Sequence, residues 1–199
     1  MSANDAIRQL AEAIAREISP SGGAVPSAVV LGAPQGQSGL GDVGSNGVFT
    51  TIDQAVAAAW AAFVSYDRMG LSVRFKIIAA IREVCRREGA ALAKFAHDET
   101  GLGRYEDKII KNEVVTEHTP GPEILEPIAR SGDRGLMLTE PAPFGVIGAI
   151  TPVTNPTSTI ICNAIGMLSA GNSVVFNVHP SAKRVSMHSI QLLNRAVVA

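Results

Sequence analysis

Residues 141–176 read PAPFGVIGAITPVTNPTSTIICNAIGMLSAGNSVVF, and this stretch decides the fold. The short, apolar and β-branched run Gly145–Ile150 predicts a buried strand, and Ser173–Phe176 predicts a second one. Between them, Thr157–Ser169 is apolar nearly all round, which predicts a buried helix. The order strand, helix, strand indicates a parallel crossover unit, the opening of a dinucleotide-binding sheet.

The residues before this unit predict a helical layer. Apolar side chains recur at helical spacing in 52–66 and again in 72–88, where we expect Gly89 to break the helix. A further helix is predicted at Tyr105–Glu117. The predicted fold class is α/β: a helical layer followed by the start of a Rossmann-like parallel sheet.

A last helix is predicted after the second strand, running to Arg195 with Ser181 as its N-cap. No later strand is present to pair with Ser173–Phe176. We therefore expect this strand to expose an unpaired edge, which is an aggregation liability.

The chain divides into three parts. Residues 1–18 predict an amphipathic helix, residues 19–47 are rich in Gly, Pro and Ser and typical of a flexible linker, and residues 48–199 form the folded part. The stripe on the first helix consists of Ile7, Leu10, Ile14 and Ile18. Two interpretations of this helix stay open: it binds a partner, or it folds back on its own domain.

Composition excludes several classes of function. With 17 basic and 18 acidic side chains there is no electrostatic footprint for nucleic acid and no polybasic membrane patch. No apolar run approaches the roughly 20 residues of a membrane span. Two cysteines make no disulfide framework, which favours a reducing cytosol, and the histidines lack metal-ligand spacing, so no metal site is predicted.

Asn155 is the sharpest candidate for chemistry. It lies at the carboxyl end of the first predicted strand, where open α/β sheets bind ligands, and the flanking Pro152 and Pro156 stiffen its turn. An amide aimed at a developing oxyanion contributes about 3–4 kcal/mol at best. The alternative is an Asx-turn residue that only shapes the loop, and the local sequence leaves both open.

Four segments of the sequence resemble those of a known protein family. The segments EPAPFGVIGAITPVTNP (140–156) and GNSVVFNVHPSAK (171–183), with Glu99-Thr100-Gly101 and TPGPE (119–123), resemble the aldehyde dehydrogenase superfamily. They are most similar to the CoA-acylating propionaldehyde and acetaldehyde dehydrogenases of bacterial microcompartments, the enzymes of propanediol or ethanolamine utilisation. The resemblance runs from about Val48 to the end.

The resemblance implies an incomplete aldehyde dehydrogenase-like cofactor domain and a reaction of aldehyde, CoA and NAD⁺ to acyl-CoA and NADH. It makes Asn155 the oxyanion donor. It places the nucleophilic cysteine beyond Ala199, so residues 1–199 alone are expected to be inactive. Cys85 and Cys162 are both predicted to be core side chains.

The resemblance also implies a wall for NAD and coenzyme A. Asn177 stands where hydrolytic relatives carry a lysine, which favours the acylating class. For His179, a cofactor contact and a loop-surface histidine remain equally open. The implied wall residues are Thr151, Pro152, Val153, Thr154, Asn177, His179, Pro180 and Ser181.

Finally, the resemblance implies an encapsulation peptide at 1–18, docking onto a microcompartment shell or a sister enzyme. The expected substrate is a small aldehyde, the expected assembly a homo-oligomer, and the expected location the cytoplasm, in the microcompartment lumen. Two alternatives remain: a truncated, non-catalytic assembly module, and a hydrolytic NAD(P)-dependent aldehyde dehydrogenase.

Overall fold

The computed structural model describes residues 28–31 and 46–199. The predicted N-terminal helix, with Ile7, Leu10, Ile14 and Ile18, lies outside these residues. Within 46–199 the helices are α1 (Ile52–Asp67), α2 (Leu71–Thr100), α3 (Tyr105–His118), α4 (Pro156–Ser169) and α5 (Lys183–Val198). No helix in these ranges is long and apolar enough to cross a membrane.

Local signals set two of the helix ends. Thr51 caps α1 by accepting a hydrogen bond from the backbone N–H of Gln54 at 3.3 Å. Gly101 ends α2 in the left-handed conformation, with φ at 67°, which is typical of the glycine that follows a helix.

The predicted break at Gly89 is wrong, because α2 runs through it without interruption. The reason is tertiary packing against α3. The Gly89 carbonyl accepts a hydrogen bond from Nδ2 of Asn112 at 2.9 Å, and a Cβ added at Gly89 would lie 3.9 Å from the Asn112 Cβ. Glycine costs a helix interior about 1 kcal/mol, and the packing of α2 against α3 outweighs this cost. The 3.9 Å separation is an ordinary van der Waals distance, so the site itself does not require glycine.

The strands are β1 (Ala28–Leu31), β2 (Ile128–Gly132), β3 (Gly135–Thr139), β4 (Val146–Ile150) and β5 (Ser173–Asn177). Strands β4 and β5 pair in parallel, joined by α4, as the predicted crossover requires. The register places the two carboxyl ends, Ile150 and Asn177, opposite each other. The predicted α/β class, a helical layer followed by the start of a parallel sheet, is confirmed.

The hydrophobic core lies between this sheet and the helices. Helix α4 is central to it: Ile160, Ile161 and Ile165 are fully buried. They share a cluster with Phe176 of β5 and Ile81 of α2. Helix α4 is therefore held firmly on several sides, which fixes the position of its first turn.

One part of the predicted linker is a strand. Residues 28–31 pair with β5 in antiparallel fashion, with Val30 opposite Val175 and Leu31 opposite Val174. These four residues are therefore extended and hydrogen-bonded rather than free. The expectation of an unpaired β5 edge is wrong for the same reason, because β5 lies between β1 and β4.

Strands β2 and β3 form a separate antiparallel hairpin closed by a two-residue turn. Polar and apolar residues alternate only weakly near its second strand, in residues 134–140. Every residue of the hairpin is exposed, including Leu136 at 74% and Leu138 at 59%. A strand pair without a buried face does not need alternating apolar and polar residues, so the sequence pattern does not reveal it.

The predicted cap of α5 is also corrected. Ser181 lies inside a 3-10 turn, Pro180–Ala182, that precedes the helix. Glu99 caps α5 instead: its two carboxylate oxygens accept from the backbone N–H groups of Arg184 and Val185 at 2.9 and 2.6 Å. A carboxylate at a helix N-terminus satisfies free donors and complements the helix dipole.

Candidate functional site

Asn155 lies between β4 and α4, at the N-cap position of the helix. Its backbone carbonyl accepts the first helical hydrogen bond, from Thr159 N at 3.1 Å, and Pro156 opens the helix. The side chain makes no capping bond to the backbone of α4. The carboxamide is therefore not consumed in shaping its own turn, and the Asx-turn interpretation has no matching hydrogen bond here.

Helix α3 contacts this carboxamide through Lys111. Its Nζ donates to Oδ1 of Asn155 at 3.2 Å. On the other side of the amide, Nδ2 donates a long 3.4 Å bond to Oγ1 of Thr154. The oxygen of the amide is thus held by a cation, while its N–H groups make only a weak local contact.

A second lysine of α3 holds the backbone one residue earlier. Lys108 is 5% exposed, and its Nζ donates to the carbonyl oxygen of Thr154 at 3.1 Å. Burial lowers the pKa of the Lys108 ammonium, and the nearby charge of Lys111 lowers it further. Sequence analysis missed both lysines, because a helix pattern does not tell which turn the helix will face.

A third α3 side chain completes the attachment. Asn112 is buried, and its Oδ1 accepts from Oγ1 of Thr157 at 2.8 Å. Lys108, Lys111 and Asn112 are spaced by three and four residues, so they share one face of α3. Together they hold residues 154, 155 and 157, the turn at the start of α4.

A pocket of about 430 Å³ opens beside Asn155, between α3 and α4. One wall is mainly apolar, and the other is mainly polar. Its lining residues are Ile110, Lys111, Val114 and Val115 from α3, and Asn155, Ser158, Thr159, Cys162 and Asn163 from the start of α4. The pocket brings the candidate amide together with space for a small molecule.

Cys162 lies in this pocket wall and is only half-buried. The prediction that it is a core side chain is therefore wrong: the residues that face the core are its neighbours Ile160 and Ile161. Cys85, by contrast, is buried as predicted, and burial raises the pKa of its thiol to about 12.

The predicted cofactor wall comes together at the carboxyl ends of β4 and β5. The backbone N–H of Thr151 donates to the carbonyl oxygen of Asn177 at 3.0 Å, which joins the two segments. Thr151 is buried, Val153, Asn177 and His179 are half-buried, and the other predicted wall residues, Pro152, Thr154, Pro180 and Ser181, are exposed.

Two polar side chains at this rim differ in their hydrogen bonding. Nδ1 of His179 accepts from the backbone N–H of Ser181 at 3.1 Å, so its role in the loop is to cap the 3-10 turn. Oγ1 of Thr151 is buried and has no hydrogen-bond partner among the described residues. An added partner at this rim would satisfy that hydroxyl.

Among residues 46–199, no group of three or more His, Cys, Asp or Glu side chains is arranged to hold a metal ion. The Asn155 amide can donate a hydrogen bond to a molecule in the pocket, whose wall also contains the half-buried Cys162 thiol.

A family model, the aldehyde dehydrogenase family, matches residues 33–198. An acetylating acetaldehyde dehydrogenase of Bilophila wadsworthia (strain 3_1_6) is 52% identical over 157 residues, which are 79% of this chain and 32% of that protein.

Solved structures agree with this likeness. A propionaldehyde dehydrogenase of Rhodopseudomonas palustris, with bound CoA and an acylated cysteine, matches with a TM-score of 0.75 and 50% identity, over 77% of this chain and 36% of its own. A propionaldehyde dehydrogenase from the Clostridium phytofermentans fucose utilisation bacterial microcompartment matches with a TM-score of 0.70 and 51% identity, over 72% and 33%. The chain spans about a third of the length of these relatives.

Proposed function

This chain belongs to the aldehyde dehydrogenase family, and we propose that it forms the N-terminal portion of a CoA-acylating, NAD-dependent aldehyde dehydrogenase. The balanced reaction is RCHO + CoA-SH + NAD⁺ → RCO-S-CoA + NADH + H⁺. The Bilophila wadsworthia relative is an acetylating enzyme, and the Rhodopseudomonas palustris structure holds CoA with an acylated cysteine. These likenesses support the acylating class over a hydrolytic one.

The observation that carries the proposal is the position of Asn155. Its carboxamide lies at the carboxyl end of a parallel strand, in the wall of a pocket of about 430 Å³. Addition of a thiolate to an aldehyde converts the carbonyl oxygen to an oxyanion. An amide N–H fixed beside that oxygen stabilises the negative charge, which is the role that we assign to Nδ2 of Asn155.

The carboxyl-end rim of β4 and β5 is the proposed wall for NAD and CoA. When bound, NAD supplies the hydride acceptor and CoA the acyl acceptor. The exposed Thr154 and Ser181 offer hydroxyls at this rim, and the orphaned hydroxyl of Thr151 fits a site that gains a polar partner. Residues Pro152, Val153, Asn177, His179 and Pro180 complete the wall as we propose it.

The exposed β2–β3 hairpin supports a homo-oligomer. Leu136 and Leu138 lie on one face of the hairpin and Ile128 and Met137 on the other, and all four are more than half exposed. Large apolar side chains exposed in this way are candidates for a protein interface. We further propose that residues 1–18 dock onto a microcompartment shell or a sister enzyme through Ile7, Leu10, Ile14 and Ile18. The Clostridium relative comes from a microcompartment, which supports this location.

The test uses the longer enzyme that contains this segment. With propanal, NAD⁺ and CoA we expect NADH and propanoyl-CoA in equal amounts, and no acyl product without CoA. Replacing Asn155 by Ala is expected to lower kcat by roughly a hundredfold or more, since it removes an oxyanion donor.

Two results would contradict the proposal. Propanoate formed at the same rate without CoA would indicate a hydrolytic enzyme. Unchanged turnover in Asn155→Ala would remove this residue from the mechanism. For the N-terminal helix, deletion of 1–18 should release the enzyme from purified microcompartments, and continued co-purification would refute the docking role.

A further inference from the structure

We propose that Lys111 is a positioning residue for the oxyanion donor: its ammonium fixes which end of the Asn155 carboxamide faces the substrate. This inference rests on the function proposed above and deepens it. The distance that carries it is the 3.2 Å between Nζ of Lys111 and Oδ1 of Asn155.

The argument begins with the two ends of a carboxamide. One end is an acceptor oxygen and the other a donor NH₂, and they are nearly the same size. Rotation by half a turn would therefore place either end at the reacting carbonyl at little steric cost. Only the NH₂ end stabilises an oxyanion, while the oxygen end would repel it.

A lysine ammonium resolves this ambiguity because it has donors and no acceptor. It bonds only the oxygen end of Asn155, and the reversed amide would set NH₂ against NH₃⁺. The NH₂ group is thereby directed away from α3, where its 3.4 Å bond to Thr154 is weak enough to exchange for a substrate oxygen. A cation on Oδ1 also polarises the amide and strengthens its N–H groups as donors.

Of the three α3 side chains that hold this turn, Lys111 is the one that orients the Asn155 carboxamide. Lys108 bonds the Thr154 carbonyl and Asn112 bonds the Thr157 hydroxyl, so both hold the turn on either side of Asn155. Lys111, on the same face of α3, contacts the carboxamide itself. The backbone of the turn is thus fixed by two buried side chains, and the amide is oriented by an exposed one.

The exposure of Lys111 makes it a clean target, because its replacement should not affect folding. In the longer enzyme, Lys111→Met is expected to lower kcat by about tenfold, a part of the loss from removing the donor itself, with KM changed less than about twofold. Lys111→Arg keeps a cationic donor and should recover most of the activity. Lys76→Met, at another exposed helix lysine, is the matched control.

A double-mutant cycle separates positioning from a direct charge effect. In an Asn155→Ala background, Lys111→Met should have an effect below about twofold, because no amide is left to orient. A full tenfold loss in that background would show that the ammonium acts on the oxyanion directly and would overturn the proposal. Unchanged kcat in the single Lys111→Met variant would also overturn it.

A spectroscopic readout is independent of activity. In the 199-residue chain, the side-chain NH₂ resonances of Asn155, identified by their loss in Asn155→Ala, should shift in Lys111→Met and stay nearly in place in Lys111→Arg and Lys76→Met. If the wild-type enzyme forms no acyl-CoA, the proposed function is contradicted. If the Asn155 NH₂ signal does not move in Lys111→Met, only the role of Lys111 is contradicted.

Discussion

The hydroxyl of Thr157 donates to Oδ1 of Asn112 across 2.8 Å, and both side chains are buried. On its other end, Asn112 donates from Nδ2 to the carbonyl of Gly89 at 2.9 Å. One asparagine therefore connects α2, α3 and α4. The turn that carries Asn155 is attached through this connection to the longest helix of the described chain.

Removing the Thr157 hydroxyl should weaken the whole unit. In Thr157→Val the shape is nearly kept, but Oδ1 of Asn112 loses its partner inside the protein, which costs about 1–3 kcal/mol. We expect the free energy of unfolding, measured by urea denaturation of the chain, to fall by that amount. Thr159→Val, two residues along the same helix and half-buried, is the control and should be near neutral. Equal stability of Thr157→Val and wild type would show that the bond contributes nothing.

The two cysteines should differ sharply in reactivity. The thiolate is the reactive form, and burial holds the pKa of Cys85 at about 12, so at about pH 8 only one thiol in roughly ten thousand is ionised there. Cys162 lies half-buried in the pocket wall. We expect an alkylating reagent to modify Cys162 in the folded chain, as located by peptide mass spectrometry.

The matched control is Cys162→Ser, which should take up no reagent until a denaturant exposes Cys85. Modification of Cys85 under native conditions would contradict the buried position of that side chain.

The chain should lose stability in alkali through Tyr66. Its hydroxyl donates to the carbonyl of Leu168 at 2.9 Å, and burial raises its pKa to about 12, with Arg74 opposing the shift. Because this value lies above the ordinary 10, the phenol contributes its full stability below pH 10 and loses that contribution as the pH rises towards 12.

The measurement is the free energy of unfolding against pH for wild type and Tyr66→Phe. The variant should be about 1 kcal/mol less stable below pH 10, and the difference should close and then reverse between pH 10 and 12, since a shift of one pKa unit corresponds to about 1.4 kcal/mol. A constant gap between wild type and Tyr66→Phe across this range would refute the link to ionisation.

Strand β5 could be predicted because burial on both faces selects a continuous run of apolar residues. Val174, Val175 and Phe176 are all buried, and the polar residues of β5, Ser173 and Asn177, lie only at its two ends.

The position predicted for β4 is confirmed, but the prediction that it is buried is wrong: Ala149 is buried, whereas Ile150 at the carboxyl end is 83% exposed. Asn155 could be located because its place follows directly from where β4 ends.

The sequence pattern does not show which helices and turns pack against each other. Nothing in the pattern of α3 shows that Lys108 and Lys111 face the Asn155 turn, nor that Gly89 is stabilised by Asn112 instead of ending its helix. Helix α5 poses the same problem, because its cap comes from Glu99, some eighty residues earlier. These contacts are tertiary, and local propensity is a weak prior against them.

Strand β1 provides the last prediction, because it covers the edge of β5 that was expected to be free. The backbone groups of β5 that face β1 are paired only while residues 28–31 stay in place, whereas those that face β4 are paired independently. Replacing residues 28–31 with Gly-Ser-Gly-Ser should therefore speed amide exchange at alternate positions of Ser173–Asn177 and leave the others protected. The exposed edge should also raise light scattering on concentration, since a free hydrophobic edge templates association. The same four-residue replacement at 33–36 is the control. Unchanged exchange throughout β5 after replacement of residues 28–31 would show that the antiparallel pairing does not protect this edge. In that case the aggregation expected from the sequence alone should appear in the unaltered chain.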